Sequence, residues 1–88
     1  MFILNYYKGT TISLDFHDGD LYNVLSLLAE AAHKDGFIIA VDKRIKGKIQ
    51  INMEEPWNMV LVEILAGVNF MTEIVNDIII ISVMEWKK

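Results

Sequence analysis

Residues 11–33 read TISLDFHDGDLYNVLSLLAEAAH, a stretch in which a strand pattern passes directly into a helix pattern. Its first six residues alternate between apolar and polar side chains, which is the period of a strand buried on one face. Residues 17–20 are polar and predict a turn, and Asp20 is a typical N-cap for a helix that begins after it. Apolar residues then recur at helical spacing, so we expect a helix from about residue 20 to residue 33.

The rest of the chain predicts two further strands, a second helix and a closing hairpin. After Asp35-Gly36, which is typical of a helix end, residues 37–41 form a short apolar run that predicts a strand buried on both faces. Residues 42–47 predict a polar turn, and residues 48–54 alternate like a second one-sided strand. Pro56 suits the first turn of a second helix, which we expect to end near Gly67. Two further strands, 71–75 and 78–84, flank a hairpin turn at Asn76-Asp77.

The predicted order is therefore β-α-β-β-α-β-β, an α+β fold. Both helices carry apolar residues on more than one side and so need cover on two sides. We expect a two-stranded and a three-stranded sheet to sandwich the helix pair. The expected organisation is an N-terminal extension at 1–10, one domain at 11–84 and a C-terminal tail at 85–88.

Composition narrows the classes of function. The chain has 88 residues, enough for one core. It contains no cysteine, which removes disulfides and thiolate metal sites. A net charge of −4 argues against a general nucleic-acid or anionic-membrane binder. The basic residues Lys43, Arg44, Lys46 and Lys48 predict a solvated loop, and no apolar run approaches the length of a membrane span.

The first seven residues are apolar and aromatic but lack a basic region and a small-residue cleavage site, so they do not predict a signal peptide. For an exported domain, we expect the export signal to lie outside this sequence.

Few residues in this sequence are candidates for catalysis or metal binding. His17-Asp18-Gly19-Asp20 contains metal-ligand residue types, but His33 lies at the far end of a helix of roughly 21 Å and cannot join them within that element. Glu54-Glu55 suits the positive end of the second helix dipole better than acid–base catalysis. No serine has a motif partner, and the glycines are scattered singly. We therefore predict no catalytic residue, no metal and no cofactor, and we expect Trp57 to be a core residue.

Several landmarks resemble one family. Ile12-Ser13-Leu14-Asp15-Phe16 with Asp18-Gly19-Asp20-Leu21 is similar to the opening of the short N-terminal domain of secretins and TonB-dependent receptors. Lys46-Gly47-Lys48-Ile49 and Pro56-Trp57 are similar to its later landmarks, in the same order. The resemblance covers about residues 11–83, and the type IV pilus secretin looks most similar. The loop at residues 33–37 departs from the family pattern.

The resemblance implies a periplasmic, non-catalytic interaction domain of an outer-membrane secretin, acting in type IV pilus biogenesis or protein secretion. Its implied partners are an inner-membrane component of the machine and neighbouring copies in a secretin ring, without nucleic acid or direct membrane insertion. Two alternatives remain, the signalling domain of a TonB-dependent transporter and a KH-like nucleic-acid-binding module. A small enzyme or metal protein is a further alternative, favoured only by the His17 cluster.

The partner surface is predicted on the two one-sided strands, whose outer faces are polar. Such strands have unpaired backbone edges that a partner strand can extend, with exposed side chains tuning specificity. The residues assigned to this role are Thr11, Ser13, Asp15, Gln50 and Asn52.

Overall fold

The computed structural model describes residues 9–67 and 70–83. Strand β1 spans Thr11–Asp20 and helix α1 spans Leu21–Lys34. The chain continues through β2 (Ile38–Val41), β3 (Lys48–Pro56), α2 (Trp57–Ala66), β4 (Phe70–Val75) and β5 (Ile78–Val83). The predicted element order is confirmed.

Two small sheets enclose the helix pair. Antiparallel strands β1 and β3 form one sheet, and the other has the order β2-β5-β4, with β2 parallel and β4 antiparallel to β5. The inner faces of both sheets and both helices share one core cluster, which confirms the predicted sandwich. Its largest fully buried side chains include Trp57, Leu25, Leu28, Leu61, Ile79 and Ile81.

The polar segment at 17–20 is not a turn, and that prediction was wrong. Strand β1 continues to Asp20, and its register with β3 shifts between Phe16 and Gly19. The extra residue of this β-bulge interrupts the alternation of apolar and polar side chains. The sequence pattern therefore predicts that the strand ends at Phe16, although it continues to Asp20. Asp20 is nevertheless the predicted N-cap, because its carboxylate accepts a hydrogen bond of 3.1 Å from the N–H of Asn23.

Two other local predictions are corrected. Pro56 is the last residue of β3 and the N-cap of α2, so it precedes the first helical turn that was predicted for it. Strand β2 is buried on one face only, since Ile39 is buried whereas Ile38 is 53% exposed. The expected strand end at Met84 lies outside the described residues.

The basic loop is fixed to the core through one apolar residue. Ile45 is 2% exposed, while the four basic side chains around it are exposed. Asp42 accepts a hydrogen bond of 2.8 Å from the guanidinium of Arg44. Gly47 has a φ of 139°, a region that favours glycine, and its carbonyl accepts from the N–H of Leu21 at 2.9 Å. The basic side chains of this loop are thus exposed to solvent, while Ile45 and the Gly47 carbonyl hold its backbone against the domain.

The outer face of the three-stranded sheet carries a row of exposed apolar residues. Ile38, Ile78 and Val75 form one row across the three strands and are 53%, 38% and 51% exposed. Strand β5 is the central strand, so Ile78–Ile81 is not a sheet edge. Asn76 in the preceding turn adopts a φ of 55°, the left-handed conformation predicted for this hairpin.

Candidate functional site

The five predicted partner-binding residues lie on one solvent-facing surface. Thr11, Ser13 and Asp15 alternate along β1, and Gln50 and Asn52 alternate along β3, and all five are exposed. Asp15 lies directly opposite Asn52 in the antiparallel register. This surface is the outer face of the two-stranded sheet.

The register also shows which backbone groups reach the edges of this sheet. Opposite residues in an antiparallel pair alternately exchange two backbone hydrogen bonds and none. The N–H of Trp57 donates to the carbonyl of Thr10 at 2.9 Å. This bond lies just outside the opposite residues Thr11 and Pro56, so these two residues exchange no backbone hydrogen bonds with each other. Proline, which lacks an N–H, suits that position.

Counting along the ladder from this pair, every second residue directs its N–H and C=O away from the partner strand. These are the same residues whose side chains are exposed on the outer face. Within residues 9–67 and 70–83 no third strand pairs with this sheet. The outer edge of β1 thus presents the backbone groups of Ser13 and Asp15, and the outer edge of β3 presents those of Asn52 and Glu54.

An open cavity of about 470 Å³ runs along the β3 edge. Six consecutive β3 residues, 48–53, line one side, and the end of helix α2 lines the other through Glu63, Ile64 and Gly67. Since consecutive strand residues point to opposite faces, this lining places the cavity at the backbone edge of β3. Ile64 is buried and Ile49 and Met53 are half-buried, so the floor is apolar, and the rim carries Lys48 and Glu63.

A hydrogen-bonded cluster on another part of the domain fastens the chain that enters β1. The carboxylate of Asp35 accepts from the backbone N–H of Thr10 at 2.7 Å and from its hydroxyl at 2.8 Å. The same carboxylate accepts from the indole N–H of Trp57 at 2.8 Å. The side-chain oxygen of Asn58, which is fully buried, accepts from the N–H of Gly9 at 2.9 Å. We call these five residues the N-terminal clasp.

The clasp also affects the titration of its carboxylate. Hydrogen bonds from the backbone and hydroxyl of Thr10, and then from Trp57, hold the pKa of Asp35 below its usual value. In the basic loop, the side-chain and backbone hydrogen bonds from Arg44 lower the pKa of Asp42 to about 2. Both carboxylates therefore act as structural acceptors at neutral pH.

The described residues with metal-ligand chemistry are dispersed over the fold. His17 is exposed in the bulge, with its Nε2 3.9 Å from a carboxylate oxygen of Asp15. Across residues 9–67 and 70–83, no three His, Asp or Glu side chains are grouped as metal ligands. No helix in the same part of the chain is long and apolar enough to cross a membrane.

The clasp was missed in the sequence, although one signal pointed to it. Asp35 caps the C-terminal end of α1, where a negative charge is unfavourable next to the helix dipole. An acidic residue there calls for compensating donors, which Thr10 and Trp57 supply. Gly9 and Thr10 were assigned to an N-terminal extension, yet they contact the domain core.

No protein-family model matches this sequence, and no curated protein matches it either. The structure is similar to the N0 domain of the type II secretin from enterotoxigenic Escherichia coli, with a TM-score of 0.66 and 15% sequence identity. The match covers 89% of this chain and 100% of that domain. The β-α-β-β-α-β-β sandwich is therefore the fold of a secretin N0 domain.

Proposed function

We propose that this chain is a periplasmic, non-catalytic interaction domain of an outer-membrane secretin, serving type IV pilus biogenesis or protein secretion. In this function it docks an inner-membrane component of the machine and lies beside copies of itself in a secretin ring. The observation that carries the proposal is the structural match to a secretin N0 domain, which spans that whole domain.

The surface of the molecule supports docking rather than chemistry. The outer face of the two-stranded sheet is polar and stays solvated, and every second N–H and C=O along its backbone edges has no strand partner among the described residues. A partner strand added to such an edge gains main-chain hydrogen bonds, and neighbouring side chains select the partner. We assign this selection to Thr11, Ser13, Asp15, Gln50 and Asn52.

The alternatives predict different behaviour. A KH-like module needs a backbone clamp for single-stranded nucleic acid, but here the basic loop is tied down by Ile45 and by the pair of Asp42 with Arg44. We expect only weak, salt-sensitive RNA binding. Micromolar RNA binding that persists at physiological salt would favour the KH-like alternative. The signalling domain of a TonB-dependent transporter is an interaction module too, and its partner would be an inner-membrane regulator.

The test is a binding measurement between the purified chain and two probes. One is the periplasmic region of the inner-membrane component encoded with the secretin, and the other is the periplasmic region of the regulator encoded with a TonB-dependent transporter. Calorimetric binding to the first alone supports the secretin function. Binding to the second alone supports the transporter function, and binding to neither refutes docking as proposed.

A further inference from the structure

Both edges of the two-stranded sheet are without a strand partner in the part of the chain that the structure describes, and the β3 edge is the more continuous. The bulge between Phe16 and Gly19 shifts the register of β1, and bulges are a common device that prevents pairing at an edge. Strand β3 has nine residues and contributes one residue opposite the bulge, so its own alternation is unbroken.

A hydrogen bond at the other end of the β1–β3 pair shows that the alternation of outward and inward backbone groups along β3 is the same on both sides of the bulge. The N–H of Leu21 donates to the carbonyl of Gly47 at 2.9 Å. This bond lies just outside the opposite residues Asp20 and Lys48, which therefore exchange no backbone hydrogen bonds with each other. Residues 49, 51, 53 and 55 therefore bond to β1. The groups that point outward along the β3 edge are those of Lys48, Gln50, Asn52 and Glu54.

The cavity beside this edge is complementary to the apolar face of an amphipathic strand. Side chains of an added strand that point inward would contact Ile49, Met53 and Ile64, while those that point outward would lie beside Gln50 and Asn52. Only an extended backbone can satisfy a row of alternating N–H and C=O groups at this spacing.

The charges along the edge run from positive to negative. Lys48 lies at the start of β3, and Glu54 and Glu55 lie at its end, all of them exposed. A strand with acidic residues at one end and basic residues at the other is complementary to this arrangement when the acidic end lies at Lys48. Glu63 on the α2 side of the groove is a third acidic residue that a basic side chain can contact.

We infer that the edge of β3 and the groove between β3 and α2 bind an extended segment of the inner-membrane partner. The segment alternates apolar and polar residues and carries opposite charges at its two ends. The inference rests on the proposed docking function and adds to it the edge that is used and the chemistry of the strand that binds there.

The test uses the absence of cysteine from the chain, because one introduced cysteine is then the only thiol. Glu63→Cys, on the exposed rim of the groove, and Glu73→Cys, at an exposed position of β4 in the other sheet, are each coupled to a bulky maleimide. The probe is the periplasmic region of the inner-membrane component encoded with the secretin. We expect the label at position 63 to weaken binding more than tenfold and the label at position 73 to change it less than threefold.

A second pair of variants tests the backbone hydrogen bonds directly. Asn52→Pro removes an outward N–H from the β3 edge, and Ser13→Pro removes one from the β1 edge, in each case without deleting a bond of the β1–β3 ladder. Circular dichroism identifies the variants that retain the fold, and the labelled cysteine variants decide the result if a proline variant unfolds.

The outcomes separate the two proposals. Loss of binding through changes at positions 63 and 52 supports the β3 groove. Loss through changes at position 13 alone, or no loss in any variant, overturns the groove while the docking function stands. Failure of the unmodified chain to bind the probe refutes the docking function itself.

Discussion

Gly9→Ala tests whether the N-terminal clasp belongs to the folded domain. A Cβ at position 9 would lie 2.6 Å from Cδ1 and 2.9 Å from Cε2 of the Trp57 indole, well inside van der Waals contact. The ring has little room to yield, because it is fully buried, bonded through its N–H to Asp35 and packed on Phe37 with ring centroids 5.5 Å apart. The backbone of residue 9 must move instead.

That movement strains or breaks the 2.9 Å hydrogen bond from Gly9 to the buried oxygen of Asn58. Overpacking costs typically about 1–3 kcal/mol, and a buried acceptor left without its donor costs a similar amount, about 1–3 kcal/mol. Since relief of the first cost produces the second, we expect a total loss of about 2 kcal/mol rather than the sum. For a domain of this size that lowers Tm by roughly 8–16 °C.

The assay is thermal unfolding measured by circular dichroism, with Gly67→Ala as the matched control. Among the described residues, a Cβ at position 67 meets the carbonyl oxygen of Ile64 alone, at an ordinary 3.8 Å, and Gly67 has helical φ and ψ values. Its substitution should change stability by less than about 0.5 kcal/mol. Equal Tm values for the two variants would refute the packing of Gly9 on Trp57 and leave residues 1–10 as an unattached extension.

Three further predictions concern Trp57, Asp35 and the absence of a metal. Trp57→Ala should lower the free energy of unfolding by about 3–5 kcal/mol in urea titrations, because it empties a fully buried site; a loss below about 1 kcal/mol would show that the ring is not a core residue. Asp35→Asn should lower Tm at neutral pH, and the difference from the unmodified chain should shrink as pH falls below 3.8, since a carboxylate with a lowered folded-state pKa stabilises the fold only while it is ionised. Asp18→Asn, in the exposed bulge, is the control, and a pH-independent Asp35→Asn effect would contradict this role of the charge. A chelator should leave Tm unchanged, and a drop of several degrees would indicate that the chain binds a metal.

The elements were readable in the sequence because their signals are local. Alternation in residues 11–16 and 48–54, helical spacing after Asp20 and the left-handed tolerance of Asn76 each depend on neighbours within a few residues. The predictions were wrong where a local pattern was interrupted or was compatible with two structures. The bulge at 17–18 looked like a turn, and the apolar run at 37–41 looked fully buried although Ile38 is exposed.

The sequence alone determined the order of the elements, the one-sided strands and the need to cover both helices, because backbone period and burial of apolar surface set these. Only the tertiary structure decided which strand edges have no strand partner among residues 9–67 and 70–83 and that the end of α2 forms a groove with β3. It also decided that Asp35 accepts hydrogen bonds from Thr10 and Trp57, which lie 25 and 22 residues away in the chain. Those features join residues distant in the chain, and no pattern of neighbouring residues encodes which distant partners will meet.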